Sequence, residues 1–284
     1  LASDAAFDRD VFARALTTRR MGRTLIARAS VESTQDVAWE ALSAGLPDGT
    51  TVVADRQTRG RGRAGRTWWM PPGRALALSI LLHPGCDARE MGSLPLVAGL
   101  ALAEAIDALG GSGARLKARL KWPNDVLAEN RKLAGILCES RRRGGAGDAV
   151  VVGVGVNVTQ AADEFPPELA GLATSLAMEG VRVPREAVAA ALLNRLEPLW
   201  DEHAEGGREA VLDRWRARAD FWGQTVTVRT PSGTLIGIAR ALDAHGGLVI
   251  SLPGGAETTV LAGDLELGTA GAAGASGTAG ARES

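Results

Sequence analysis

Apolar positions along the chain fall into short runs broken by glycine-marked polar turns. Residues 51–54 are β-branched and apolar, residues 75–82 are apolar except for Ser79, and both read as strands. Strand-like runs follow at 116–122, 125–128, 132–139 and 149–157. The last two are long and apolar, which predicts central strands, and 144–148 between them reads as a hairpin loop. Helical periodicity predicts a short helix over 8–18, an alanine- and leucine-rich one over 92–109, and two more over 185–203 and 208–218. Ser33-x-x-Asp36 has the spacing of a capping box with Asp in the Glu position. It opens a helix that runs to about Ala44 and stops at Gly45 and Pro47.

The texture changes at Phe221. Short strands at 224–229, 234–242, 248–252 and 258–261, separated by Ser-Gly, His-Gly-Gly and Pro-Gly-Gly turns, predict a small barrel. Residues 269–284 are Gly, Ala, Ser and Thr repeats, read as a disordered tail. The organisation expected is a short segment over 1–24, a large domain over 25–220, a small barrel over 221–268 and the tail.

Composition narrows the class. Of 284 residues, 45% are hydrophobic and 23% charged, which suits a globular chain with a sizeable core. The formal net charge of −1 argues against a general nucleic-acid binder. Cys86 and Cys138 form no CxxC and read as reduced thiols of a cytoplasmic protein. No run reaches the roughly 18 uninterrupted apolar residues of a membrane span, and the first ten residues lack a signal peptide's pattern. His83, His203 and His245 form neither a metal pair nor a triad. Trp39, Trp200 and Trp215 stand at helical positions and read as core, while Arg141 to Arg143 reads as a solvated loop.

Three stretches carry chemistry. Gly60-Arg61-Gly62-Arg63-Ala64-Gly65-Arg66 satisfies G-x-G-x-x-G, but Thr67-Trp68-Trp69-Met70-Pro71-Pro72 follows where a dinucleotide fingerprint needs a helix. Glycines let a backbone approach a ligand, and arginine forks suit phosphate and carboxylate, so such a loop can close over an acyl-phosphate. The alternative is a solvated arginine turn. In the second stretch, Lys121-Trp122-Pro123-Asn124-Asp125 precedes Arg131-Lys132-Leu133-Ala134-Gly135-Ile136-Leu137, placing two lysines at neighbouring strand ends. Lys132 is costly in an apolar strand unless it acts there or guards a strand edge. The third stretch, Gly153-Val154-Gly155-Val156-Asn157, ends an apolar strand in glycines and an amide.

Together with Ser33-Thr34-Gln35 and Gln57, these stretches resemble the biotin protein ligase family, in order, over residues 25–267. The resemblance implies an α+β fold: a mixed, largely antiparallel sheet with packed helices, as in class II aminoacyl-tRNA synthetases, plus a small C-terminal SH3-like β-barrel. It implies that the biotin carboxylate attacks the α-phosphate of ATP with Mg2+, giving biotinyl-5'-AMP. A lysine of a biotin carboxyl carrier protein domain then takes the acyl group.

Carried over residue by residue, Lys132 and Arg63 would be catalytic. Ser33, Thr34, Gln35, Gln57, Gly60, Arg61, Gly62, Gly65, Arg66, Trp68 and Gly135 would bind biotin. Lys121, Asn124, Asp125 and Asn157 would face the nucleotide, with Asp125 either a metal ligand or an organiser of its turn. Many members carry Asn where Gln35 stands. Trp68 and Trp122 would either wall the pocket or pack in the core. Some members begin with a DNA-binding winged helix, for which residues 1–24 are too short, so the expectation is an enzyme-only type with no DNA or membrane partner; a homodimer is admitted. The alternatives are a lipoate or octanoate transferase, whose RRxSGGGxVxHD-like stretch is missing, a biotin-binding regulator with weak catalysis, and nucleic-acid binding through the arginine loop.

Overall fold

The structure is a computed structural model that describes residues 6–83, 90–110, 116–141 and 148–267. The expectations for Cys86, Arg142, Arg143 and the 269–284 tail lie outside the described residues, as does most of the 144–148 loop. Seven strands form one sheet: β1 (Leu25–Val31), β2 (Thr51–Gln57), β3 (Ala75–Leu82), β4 (Arg119–Lys121), β5 (Asp125–Ala128), β6 (Arg131–Arg141) and β7 (Ala149–Asn157). Their order is β1-β2-β3-β7-β6-β5-β4. Only β1 and β2 pair in parallel; every other pairing is antiparallel. The expected mixed, largely antiparallel α+β sheet is the one observed.

Strand β1 was not expected. It is an edge strand carrying Arg28, Ala29 and Ser30 exposed in a row, so it lacks the apolar run that marks β3 and β7. Its parallel pairing is possible because the helix α2 (Thr34–Ser43) makes the crossover. The 116–122 strand shrinks to β4, and Trp122 becomes a core residue, 1% exposed. The 8–18 helix is α1 (Arg9–Ala15), capped by the Asp8 carboxylate on the N–H groups of Asp10 and Val11. At α2, Ser33 caps the Gln35 N–H at 3.3 Å, but the reciprocal half of the box is missing because the Asp36 carboxylate turns outward to Arg61.

Period-two alternation sorts the sheet residues onto two faces. Leu76, Leu78 and Ile80 with Val152 and Val154 pack against α3 (Leu94–Gly110) and α4 (Arg185–Glu202) in the main core. The helical stretch Met91–Gly110, which contains α3, is long and apolar enough, by length and composition, to cross a membrane, yet most of its residues are buried in this core. On the opposite face, Leu81, Ala149 and Val151 meet Ala38, Trp39 and Leu42 of α2. Helix α2 covers only that half of the face. Beyond its N-terminus the same strands present Ala77, Ser79, Gly153 and Gly155, and there the face stays open.

After α5 (Arg208–Arg216) comes a second sheet, β8 (Thr225–Thr230), β9 (Gly233–Leu242), β10 (Leu248–Ser251), β11 (Glu257–Val260) and β12 (Asp264–Leu267), ordered β11-β10-β9-β8-β12 and antiparallel throughout. Strand β12 is additional to the four expected; its four residues carry two acids and no β-branched side chain. The inner residues Val226, Val228, Leu248 and Ile250 join the main core, so the two sheets share one apolar interior.

One buried carboxylate ties the chain ahead of β1 to α4. Glu197, with a 6% exposed side chain, accepts the backbone N–H groups of Arg19, Arg20 and Met21 at 2.6, 2.9 and 2.9 Å. Burial opposes its ionisation, but these three donors and the Arg20 guanidinium hold its carboxyl below the usual range. A folded-state value below the unfolded one stabilises the fold above the unfolded pKa, and that contribution is lost as pH falls through the folded value. Glu197→Gln is expected to cost about 2 kcal/mol at pH 7. Urea unfolding at a series of pH values checks this: the gap to wild type closes in the acid range, and equal midpoints at pH 7 would contradict it.

Candidate active site

The open half of the sheet floors a cavity of about 430 Å³. Its central row runs Ala77, Gly155, Gly135 and Asp125 across β3, β7, β6 and β5, each the register partner of the next. The row beside it is Ser79, Gly153 and Leu137. Two glycines here are explained by what lies on them. A Cβ at Gly155 would stand 2.4 Å from Cε2 of Trp68, so the indole rests directly on the bare strand. A Cβ at Gly153 would stand 3.0 Å from the Gln35 amide nitrogen.

Lys132 reaches this face through a register slip. Pairing of β5 with β6 runs Asp125 with Gly135 and Val126 with Ala134, then shifts so that Leu127 faces Lys132. The bulge places Lys132 on the side of Gly135, where its Cε lies 3.3 Å from the position a Gly135 Cβ would take. The ammonium ends 2.6 Å from the Asp125 carboxylate and 6.0 Å from the Trp68 ring centroid. Its backbone is sewn to the irregular segment 159–183, donating to Leu172 O at 2.8 Å and accepting from Thr174 N at 3.0 Å. The Asn157 amide donates to Thr174 O at 2.9 Å and accepts from Gln160, so its polar atoms organise that segment.

At the other end of the cavity the N-terminus of α2 gathers hydroxyls and amides. Thr34 donates its N–H to Gln57 Oε1 at 2.8 Å, and its hydroxyl lies 2.8 Å from that of Ser79. Gln35 donates to Leu137 O at 3.0 Å; among the described residues its buried Oε1 meets no donor, and the buried Trp68 Nε1 meets no acceptor. Such atoms cost free energy unless a ligand or water meets them.

The arginine loop borders the cavity with its side chains in three different states. Arg61 grips both Asp36 oxygens at 2.8 Å and reaches Glu139 at 3.4 Å. Burial works against its charge, but the two carboxylates outweigh it and raise it above its ordinary value. Arg66 pairs with Asp264 at 2.6 Å. Arg63 is half-buried, with 3.3 Å contacts to Asn124 Oδ1 and Gly263 O, and among the described residues no carboxylate lies within ion-pair distance of it. Burial therefore holds this guanidinium below its ordinary value. It is a desolvated cation without a counter-ion in the loop that borders an open cavity.

Of the residues given catalytic, biotin-binding or nucleotide-facing roles from sequence, all except Gly60 and Gly65 border this cavity. Gly60 stands behind it, where a Cβ would meet Trp68 O at 2.6 Å, and Gly65 forms the outer turn with Ala64, both at positive φ. Of the two readings left open for Trp122, core is the one observed: the residue is buried and its indole N–H donates to Gly246 O at 3.0 Å. Among the described residues no group of three or more His, Cys, Asp or Glu could hold a metal ion, and Asp125 stands as a single carboxylate. Cys138 is a free thiol that burial pushes up to about 12.

Sequence reasoning missed Ser79 and the pair Trp69 and Phe165, whose rings lie 5.8 Å apart at the cavity wall. Phe165 belongs to the irregular segment, where no periodicity marks it.

Residues 27–157 match the model of the biotin/lipoate A/B protein ligase family, and residues 221–268 match that of the biotin protein ligase C terminal domain. The chain is 38% identical over 233 residues to the biotin–[acetyl-CoA-carboxylase] ligase of Mycobacterium tuberculosis, covering 81% of this chain and 83% of that one. It is 34% identical over 254 residues to the bifunctional ligase/repressor BirA of Bacillus spizizenii, covering 89% and 77%. The structure superposes on that of the biotin protein ligase from Aquifex aeolicus in complex with biotin and ATP with a TM-score of 0.72 at 31% identity, covering 86% and 98%.

Gly155→Ala is expected to expel the Trp68 indole from the floor, because the new methyl and the ring cannot share the space. Acrylamide quenching of tryptophan emission should rise in this variant but not when the change is made in a Trp68→Phe background. Equal quenching in both would contradict the packing argument.

Proposed function

Because the chain belongs to the biotin protein ligase family, we propose that this cavity joins the carboxylate of biotin to the α-phosphate of ATP and passes the biotinyl group to one lysine of a biotin carboxyl carrier protein domain. The observation that carries the reading is the shared cavity: the Lys132 ammonium and the Arg63 guanidinium border the same space, with the Ser33–Thr34–Gln57 cluster bordering it as well.

Two anions must meet in the first step, and fixed cations remove their repulsion. Lys132 is already desolvated on one side and aimed by Asp125. An incoming carboxylate exchanges with Asp125 for the same ammonium, which then follows the charge onto the bridging oxygen of biotinyl-5'-AMP as pyrophosphate departs. Arg63 holds the phosphate of that adenylate and gains the counter-ion it lacks. In the second step a neutral lysine amine attacks the acyl carbon, AMP leaves, and an amide forms.

The ureido ring of biotin lies among Ser33, Thr34, Gln57 and Gln35. Its N–H groups meet the buried Gln35 Oε1 and the hydroxyls. Trp68, on its glycine floor, covers the apolar ring system, and Arg61 with the Gly135 backbone completes this end. Lys121, Asn124, Asp125 and Asn157 face the nucleotide, Asn157 by shaping the 159–183 segment. A single carboxylate fits Mg2+ brought in by ATP, since that ion is commonly held by one or two carboxylates plus substrate phosphates. Asp125 is the residue that would hold it, and the ion would reduce the charge on the phosphates. ATP as co-substrate and the free Cys138 thiol fit a cytoplasmic enzyme. A ligase/repressor stands among the relatives; the role proposed for this chain is the ligase reaction.

Lys132→Ala is expected to lower biotin-dependent pyrophosphate release about a hundredfold while leaving the fold intact. Near wild-type release, or release that lipoate supports as well as biotin, would count against the assignment. Arg63→Gly is expected to let biotinyl-5'-AMP escape and label lysines indiscriminately, followed by mass spectrometry of a bystander protein. Labelling confined to the carrier would contradict that role.

A further inference from the structure

The arginine loop is suspended between two anchors that belong to different sheets. On one side Arg61 grips Asp36 of α2 and Glu139 of β6. On the other, Arg63 meets the Gly263 carbonyl at 3.3 Å and Arg66 meets the Asp264 carboxylate at 2.6 Å, both at the start of β12 in the C-terminal sheet. We infer that the Gly263–Asp264 corner is a clasp for this loop, and that Asp264 is a positioning residue that sets how long the acyl-adenylate stays enclosed. This rests on the ligase reading above and adds to it a function for the C-terminal sheet.

The clasp has a rigid mounting. Asp264 is the register partner of Arg229 on β8, so the ladder fixes its backbone. Gly263 packs so closely that a Cβ would stand 2.7 Å from Val228 Cγ1 and 2.9 Å from Arg229 O, which fixes the carbonyl that Arg63 uses. The sheet is seated on the body independently of the loop. Trp122 donates to Gly246 O at 3.0 Å, and a Cβ at Gly246 would meet Leu96 at 2.8 Å and the Ser93 Cα at 3.0 Å. That seat lies beside Lys121 and two residues from Asn124, the other partner of Arg63. Within the loop the backbone bonds are Gly62 N–H to Arg66 O and Arg66 N–H to Arg63 O, with Trp68 N–H to Gly60 O at its base; among the described residues no backbone bond of the loop reaches the C-terminal sheet. Its hold on the C-terminal sheet therefore runs through side chains.

The Arg66–Asp264 pair is exposed, 57% and 38% by side chain, so it is weak and reversible. A weak clasp over a desolvated Arg63 suits a loop that must admit substrates, hold a reactive anhydride and then open to a carrier lysine. Its removal should act on retention, by a few-fold, and leave the adenylation step alone.

The test compares Asp264→Asn, Asp264→Ala and Asp264→Glu with wild type, with biotin, ATP and Mg2+. The readouts are pyrophosphate formed in the first turnover, and free biotinyl-5'-AMP released per biotin transferred to a carrier domain. Asn and Ala are expected to raise the released fraction about fivefold with first-turnover pyrophosphate within about twofold, and Glu to restore retention. Trp122→Phe, which loosens the seat without touching the loop, is expected to shift the same ratio in the same direction. An unchanged ratio in Asp264→Asn and Asp264→Ala, or first-turnover pyrophosphate that falls in step with transfer, would overturn the proposal. Trypsin cleavage after Arg63 and Arg66 in the ligand-free protein gives a readout independent of catalysis. Asp264→Asn is expected to speed it about fivefold; equal rates would sink the clasp, whereas a wild-type protein that makes no adenylate would sink the ligase reading.

Discussion

Between Val126 and Leu127 the pairing of β5 with β6 slips by one residue, and that slip decides which way Lys132 points. In a regular ladder Lys132 would share a face with Ala134 and Ile136, both of which are buried in the main core. An ammonium there would have neither water nor a partner, at a cost of several kcal/mol. The bulge turns it to the opposite face, over Gly135, where Asp125 from the neighbouring strand receives it at 2.6 Å. The ion pair keeps a charged group stable at the edge of an apolar sheet and also aims it into the cavity.

The same face shows why a cavity exists at all. Sheet faces are normally closed by helices, and α2 closes this one only as far as Leu81 and Val151. Where the row becomes Ala77, Gly155 and Gly135, nothing from the strands themselves fills the space. Trp68 covers part of it, and the α2 N-terminus lines one end with Ser33, Thr34 and Gln35. The arginine loop then spans from α2 to the C-terminal sheet, which joins the small module mechanically to the chemistry of the large one.

Much of this was legible from residues alone, and the gaps have physical causes. Strands β3 and β7 were plain because they are apolar along their length, buried on both faces, and end in clear breaks. Strand β1 was hidden because an edge strand with Arg28 and Ser30 outward carries little apolar signal. Strand β12 is four residues with two acids, held by the ladder to β8 and not by its own propensity. In the site, Lys132 stood out because a charge in an apolar run is costly without a use, while the gathering of GRGRAGR, KWPND and KLAGIL into one site was what the family resemblance implied. Phe165 and Ser79 gave no such warning: one sits in irregular chain, the other is a small polar residue in an apolar strand. The capping-box spacing at Ser33 was misleading for the same reason that made the site work, since Asp36 is used to hold Arg61.

The most direct measurement is a crystal structure of this protein with a non-hydrolysable biotinyl-5'-AMP analogue. The account predicts the ureido ring against Thr34 and Gln57, the acyl-phosphate linkage against the Lys132 ammonium, and Arg63 on the phosphate, with the Lys132–Asp125 distance lengthened from 2.6 Å. An analogue bound with its linkage away from Lys132, and that ion pair unaltered, would contradict it.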